Sequence, residues 1–379
     1  MRGSDEMTIP SPIHDLLEQY EMSWSKPESS GSREGAATGY IEEQLLCEFL
    51  PWGEEGCHVL ATTGSVELEY AALRKSVGVF DASCRGTILL QGEDRLAFID
   101  RMTTQGLSNM KDGDSKLAFV LNRKGRIVSD VIVAQLPDRV LIDCDVTLMQ
   151  PLMEHFDSFV VADNVTITNT TQDEHRLWLL GPDSSKLEIP KDVQFPLPIE
   201  FLGLEGVAVS VTPKVAEELW KKFTSQDVRP VGWYALNMVR VEEGAPVFNI
   251  DFSSTNLPHE TSCCSSRVKF DKGCYLGQEV VARMESLGAP KQLLVGLELQ
   301  TDALPIAGTQ IWDKLSDEGG KPIGVVTSSA MSPMHGGGVA IIAMVKKVCA
   351  PAGTTVFPWV GAEQIKASVY HLSSKKEDA

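Results

Sequence analysis

An α+β body followed by a C-terminal β-barrel is the architecture that this sequence predicts. Strand and helix patterns alternate from about Tyr40 to Gly288, whereas after Gly288 only short strand patterns remain, parted by Gly, Pro, Asp and Ser turns. At 379 residues and 43% hydrophobic, the chain also exceeds the size at which one core usually keeps growing. The first 39 residues stand apart. SPIHDLLEQYEMSW, Ser11 to Trp24, sets Ile13, Leu16, Leu17 and Tyr20 on one helical face, and SKPESSGSREGAATG, Ser25 to Gly39, is too small and polar to order itself. The expected division is residues 1–39 as helix and flexible linker, 40–288 as the body, built of two interleaved subdomains, 289–372 as the barrel, and 373–379 as a solvated tail.

Each element has its own signal. GTILLQG (Gly86 to Gly92) predicts a strand, EDRLAFIDRMTTQGL a helix with Leu96, Phe98, Ile99 and Met102 inward, and KLAFVLN a second strand. Arg123, Lys124 and Gly125 form a tight turn into RIVSDVIVAQL, which makes a hairpin. VLIDC, a helix near Met149 to Phe159, NVTIT and RLWLLGP continue the mixed pattern. In the last part LLVGLEL, TQIWD, PIGVVTSS, GVAIIAMV, TTVF and QIKASVY are barrel strands, and the glycines Gly336 to Gly338 are a turn between them.

Charge and cysteine usage narrow the function. With 52 acidic against 34 basic side chains the net charge is −18, a field that repels phosphate backbones and anionic lipid, so no stable nucleic-acid or membrane binding is expected. No run approaches the roughly 20 apolar residues of a membrane span, and the first residues lack the apolar core of a secretion signal, so a cytoplasmic location is expected. Eight cysteines are too sparse for a disulfide framework and should be thiols. No C-x-x-C pair or paired histidines close a zinc tetrahedron, and no metal site is assigned.

FDKGCYLGQEVVAR, Phe270 to Arg283, is the strongest local oddity. Gly273 precedes Cys274 and Gly277 follows Tyr275 and Leu276, which permits a turn that presents the thiol, and Lys272 with Arg283 would favour the thiolate. Equally, Cys274 fits a small hydrophobe buried in a turn. Asp130 interrupts Val128, Val131, Ile132 and Val133 in a strand, where a carboxylate must be paired or hydrogen-bonded; it either points to water or Arg126, or accepts from a ligand. Arg240 has the planar fork that clamps carboxylates, or it pairs with Glu242 or Glu243.

The run KGCYLGQE, Lys272 to Glu279, with LGQEVVARMESLGAPKQL, RVEEGAPVFNID (Arg240 to Asp251) and LPHE (Leu257 to Glu260), resembles the folate-binding YgfZ family, relatives of the glycine-cleavage T-protein. LRKSVGVFDAS, LNRKGRIVSDVIV and GVVTSSAMSP resemble segments shared by that superfamily, so the likeness spans nearly the whole chain. It implies a T-protein-like body of several subdomains around a central, folate-binding cavity, with tetrahydrofolate or a one-carbon-substituted folate as cofactor. It implies Asp130 as the pterin contact, with Arg240, Glu260, Tyr275, Gln278 and Glu279 as further folate-site residues. Glu260 and Glu279 fit structural roles as well. Cys274 becomes a reactive thiol at the cavity rim, with Lys272 beside it.

The implied function is support of iron-sulfur cluster assembly or repair, with folate and iron-sulfur proteins or their assembly factors as partners. The alternative is a tetrahydrofolate-dependent one-carbon transferase, an aminomethyltransferase or a demethylase. For transfer chemistry the resemblance is incomplete: Leu117 and Leu236 stand where the T-protein carries an aromatic residue and an arginine, and VAVSVTPKVAEELW replaces its GYTGE block.

Overall fold

The computed structural model describes residues 11–13, 16, 47–53, 57–190, 193, 197–288, 290–299, 301 and 303–372. The expected N-terminal helix, apart from residues 11–13 and 16, lies outside the described residues, as do the linker and the 373–379 tail.

Among the described residues two five-stranded sheets and one antiparallel pair of strands, Glu48–Trp52 with Cys57–Thr62, form the body. One five-stranded sheet runs in the order Ser115–Leu121, Ile127–Gln135, Val140–Asp145, Arg85–Gln91, Thr166–Asn169. Its hairpin turns where Gly125 adopts φ +71°, a left-handed conformation that costs glycine little, while Asn122 Oδ1 accepts from the Lys124 and Arg126 amides. The resulting register sets Asp130 opposite Phe119. The second sheet runs Leu197–Phe201, Leu204–Val211, His175–Leu180, Gly78–Asp81, Arg229–Pro230, so the first sheet is inserted in the chain between two of its strands.

Facing sides of the two sheets share one core: Phe80, Trp178 and Leu180 from one, Ile132, Ala134 and Leu141 from the other. Burying each large apolar side chain is worth about 1.5–3 kcal/mol. The outer face of the inserted sheet packs on the helices Arg95–Met102 and Met149–Asp157. The first of these is shorter than the sequence predicts, because Thr103 turns extended and bridges to Val120. The helix Pro213–Ser225 covers the outer face of the second sheet with Ala216, Leu219, Trp220 and Phe223; the VAVSVTPKVAEELW region is the end of the strand Leu204–Val211 followed by this helix, which begins with Pro213 after Thr212.

The barrel closes six strands in the order Gln310–Trp312, Pro322–Ser332, Gly338–Lys346, Gln292–Leu299, Ala367–Tyr370, Thr355–Val360, the last pairing back to the first. A core of Phe119, Leu121 and Ile127 from the hairpin with Leu294, Ala340, Ile342 and Met344 from the barrel fastens the two parts, with Phe248, Phe252 and Tyr275 between. Among the described residues no helix is long and apolar enough to cross a membrane.

Candidate folate site

Asp130 lies where sheets and connecting segments converge, and its carboxylate is buried against Arg267. Arg267 Nε donates to Oδ1 at 2.9 Å and Oδ2 at 3.0 Å, Nη1 donates to Ser266 Oγ at 2.9 Å, and the guanidinium sits 5.6 Å from the centre of the Phe119 ring. The carboxylate neither points to water nor meets Arg126, whose guanidinium instead donates to the Thr255 carbonyl. Burial opposes the charge on Arg267, but Asp130 more than restores it, and the guanidinium is held above its usual range.

Asp130 and Arg267 line a tight cavity of about 40 Å³ whose walls are aromatic. Trp52 meets Trp233 edge-on at 4.8 Å, and Trp178 meets Phe201 at 4.8 Å. Arg85 lies over the Phe201 and Trp178 rings while its Nε donates to Asp143. Trp52 Nε1 donates to Asp145 at 3.0 Å, but the Trp178 indole N–H is buried without an acceptor. A donor left unpaired in so apolar a place costs about 1–3 kcal/mol, which a ligand acceptor or a water would recover.

Beside this cavity, and sharing Leu202, Ala245, Pro246 and Arg267 with it, is a wider one of about 650 Å³. That volume is within the range of roughly 300–1,000 Å³ that small-molecule sites occupy. Glu200, Glu243, His259, Cys263 and Cys264 are among its lining residues. Burial pushes the Cys264 thiol up to about 12, with the neighbouring Cys263 adding to the shift.

The remaining sequence-predicted residues take other places. Arg240 is 1% exposed and spends its fork inside the protein, donating to Asp251 Oδ2 (2.7 Å), Ser328 Oγ (2.7 Å) and Asn237 Oδ1 (2.9 Å). It stands 6.0 Å from the Trp233 ring, lines neither cavity, and pairs with neither Glu242 nor Glu243. A guanidinium so buried, with three of its donors committed inside the protein, does not face a ligand in either cavity. Glu260 is buried and accepts from Asn256 Nδ2 and the Leu257 amide, closing a local turn away from the cavities.

Lys272 is turned back toward the end of the Arg95–Met102 helix, where Nζ donates to the carbonyls of Asp100, Thr103 and Gln105. Burial lowers its affinity for a proton, and Asp100 partly offsets this. Tyr275 is packed in the hairpin–barrel core, and burial drives its phenol up to about 12. Gln278 and the exposed Glu279 open the helix Gln278–Leu287, Gln278 Nε2 reaching back 3.5 Å to the Gly273 carbonyl.

Cys274 is exposed, and a Cβ at Gly273 would meet nothing, so the thiol is presented on an open turn. It lines neither cavity; the cysteines on the wide one are Cys263 and Cys264. Among the described residues no three His, Cys, Asp or Glu side chains converge as a metal site requires.

Sequence reasoning passed over Arg267, the tryptophans Trp52, Trp178 and Trp233, and the Cys263–Cys264 pair as cavity residues. The aromatic walls, Trp52, Phe80, Trp178, Phe201, Trp233 and Phe248, come from six separated segments and have no shared local pattern. The adjacent cysteines were the one visible signal.

Residues 49–188 match the family model described as the GCVT N-terminal domain, and residues 292–373 match that of the glycine cleavage T-protein C-terminal barrel domain. Together these cover more than half of the chain. A protein named aminomethyltransferase from Staphylococcus saprophyticus is 24% identical over 334 residues, covering 80% of this chain and 88% of its own. Another of that name from Flavobacterium psychrophilum is 26% identical over 329 residues, covering 79% and 88%. The crystal structure of glycine cleavage system aminomethyltransferase T from Bartonella henselae superimposes with a TM-score of 0.79 at 20% identity, over 97% of this chain and 98% of that one, which shows the fold.

Proposed function

Since the chain belongs to the glycine cleavage T-protein superfamily, we propose that it binds a tetrahydrofolate in the paired cavities and uses it in one-carbon transfer. The observation that carries this is Asp130, a buried carboxylate on the wall of an aromatic-sided slot that adjoins a space of ligand size. The relatives named aminomethyltransferase support the transferase reading over the iron-sulfur one.

The residues fit a reduced pterin in kind. Aromatic faces receive a flat ring, the carboxylate accepts from an amino group and an adjacent ring N–H, and the unpaired Trp178 N–H offers a donor nearby. When bound, the folate supplies a secondary amine able to accept a one-carbon unit. The protein's part is to exclude water with the tryptophan and phenylalanine walls and to hold the ring through Asp130. Asp130 is already engaged by Arg267, and the narrow slot must widen for a ring to enter.

Titration with 5-formyltetrahydrofolate tests the reading: Trp52, Trp178 and Trp233 should report binding as quenching of fluorescence. Asp130→Asn should weaken it by about 1.5–3 kcal/mol, the worth of hydrogen bonds to a charged group. Equal affinity in the two proteins would remove Asp130 from the site. One-carbon transfer itself is checked by methylene-tetrahydrofolate formation from an aminomethyl donor.

One observation favours a second reading. The exposed Cys274, on the run KGCYLGQE that resembles the YgfZ signature, suits a folate-binding protein that supports iron-sulfur clusters. In cells lacking their own YgfZ-type protein, this chain should then restore a [4Fe-4S] enzyme's activity and Cys274→Ala should not. Rescue by both would leave the thiol without a role.

A further inference from the structure

Resting on the folate reading, we propose that Arg267 decides which ligands reach Asp130: its guanidinium holds the seat that an amino-bearing heterocycle would take and must swing aside before such a ring binds. One N–H, on Nε, spans both carboxylate oxygens at 2.9 and 3.0 Å. A ring with an exocyclic amine and a neighbouring N–H presents two parallel donors and needs one oxygen for each, so ring and guanidinium cannot share the carboxylate edge.

The motion belongs to the side chain. The Arg267 amide donates to the Cys263 carbonyl and its own carbonyl accepts from Thr104 Oγ1 at 2.6 Å, which pins the backbone at the end of the short Cys264–Arg267 helix. Arg267 is among the lining residues of both cavities, so the wide one adjoins the narrow one at this side chain and is the space its guanidinium would enter. There Glu200, which lines the wide cavity and whose charge already acts on Arg267, offers a receiving carboxylate.

The exchange leaves no buried charge alone. Ligand donors replace the guanidinium at Asp130 as Arg267 moves to Glu200, whereas a ligand without two donors would leave Asp130 bare, the costly outcome for a buried pair. Arg267 is thus a specificity-determining residue that admits planar amino-heterocycles, whose two parallel donors match the two carboxylate oxygens, and excludes plain carboxylates.

Calorimetric titration of the full chain with 5-formyltetrahydrofolate tests this in the wild type, Arg267→Gln, Asp130→Asn and Glu200→Gln. Because the wild type rests with Arg267 seated on Asp130, Arg267→Gln should bind about tenfold more tightly, since the competent state no longer has to be selected. Glu200→Gln should weaken the wild type several-fold and leave the Arg267→Gln background unchanged. Equal or weaker binding by Arg267→Gln overturns the proposal, since Arg267 would then be a bystander or a direct ligand contact.

If neither protein binds the reduced folate, the folate reading fails, and 2-amino-4-hydroxypyrimidine decides the inference. Binding to Arg267→Gln, absent from the wild type and lost on adding Asp130→Asn, upholds it; no binding overturns it. Should Arg267→Gln not fold, the ¹⁵N resonance of Arg267 Nε in the wild type replaces it. A shift on saturation with either ligand supports the swing, and an unmoved resonance sinks it.

Discussion

Lys272 buries its ammonium against three carbonyls at the C-terminal end of the Arg95–Met102 helix, where the unpaired carbonyls and the helix dipole favour a cation. Lys272→Met should therefore destabilise the protein by about 1–3 kcal/mol, the cost of stranding buried acceptors. Cys274→Ser, two positions on and exposed, should stay within about 0.5 kcal/mol of the wild type. Urea denaturation of the two variants side by side checks both, and equal stability would deny Lys272 its capping role. In the sequence these residues read as one reactive pair, because neighbours in the chain are the easiest partners to see. The turn sends one side chain into the body and leaves the other outside. Asp130 was legible as a carboxylate needing donors, since it breaks an apolar strand run; Arg267, 137 positions away, carries no local signal of the pairing.

The helix Trp233–Glu242 shows how a segment that looked like ligand machinery serves as a fastener. Arg240 reaches from it to Asp251 and Ser328, and Asp251 Oδ1 accepts from the hydroxyls of Thr327 and Ser328 on the barrel strand Pro322–Ser332. Removing one member of a buried pair leaves the other charged and alone, so Arg240→Met should cost about 3–5 kcal/mol. A matching Asp251→Leu should return part of that loss, measured by chemical denaturation of the single and double variants. A double variant no better than the sum of the singles would mean that the pair is not coupled. Elements with a clean period were readable: the hairpin from its Arg-Lys-Gly turn, the barrel strands from their spacing. The helix Pro213–Ser225 was readable too, through Pro213 at its start and an apolar Ala216, Leu219, Trp220 and Phe223 face, but the resemblance drew notice to what that region lacked.

Body and barrel are joined a second time through Glu242. Its carboxylate accepts from Tyr70 Oη at 2.7 Å and Ser332 Oγ at 2.6 Å and pairs with Arg74, so a strand of the barrel and the helix Val66–Lys75 meet at one buried charge. Burial alone would raise its proton affinity, but the bonds from Ser332, Tyr70 and Arg74 outweigh burial and hold it below the usual 4.5. The sign of the linkage follows. The folded state binds this proton more weakly than the unfolded chain, so the stabilisation is fully present above about 4.5, the unfolded value, and is lost as pH falls through the lower folded one. Because the charge ties two parts with a shared core, its protonation should loosen the whole rather than one lobe. Wild type should lose stability steeply below pH 4.5, whereas Glu242→Gln, less stable at pH 7, should lose less over the same interval. The gap between the two should therefore narrow on acidification, read from denaturant midpoints at pH 7, 5 and 3.5. A constant gap across that range would mean that the unfolded chain and the native junction bind the Glu242 proton equally, and the junction would then owe its strength to the shared apolar core of hairpin and barrel.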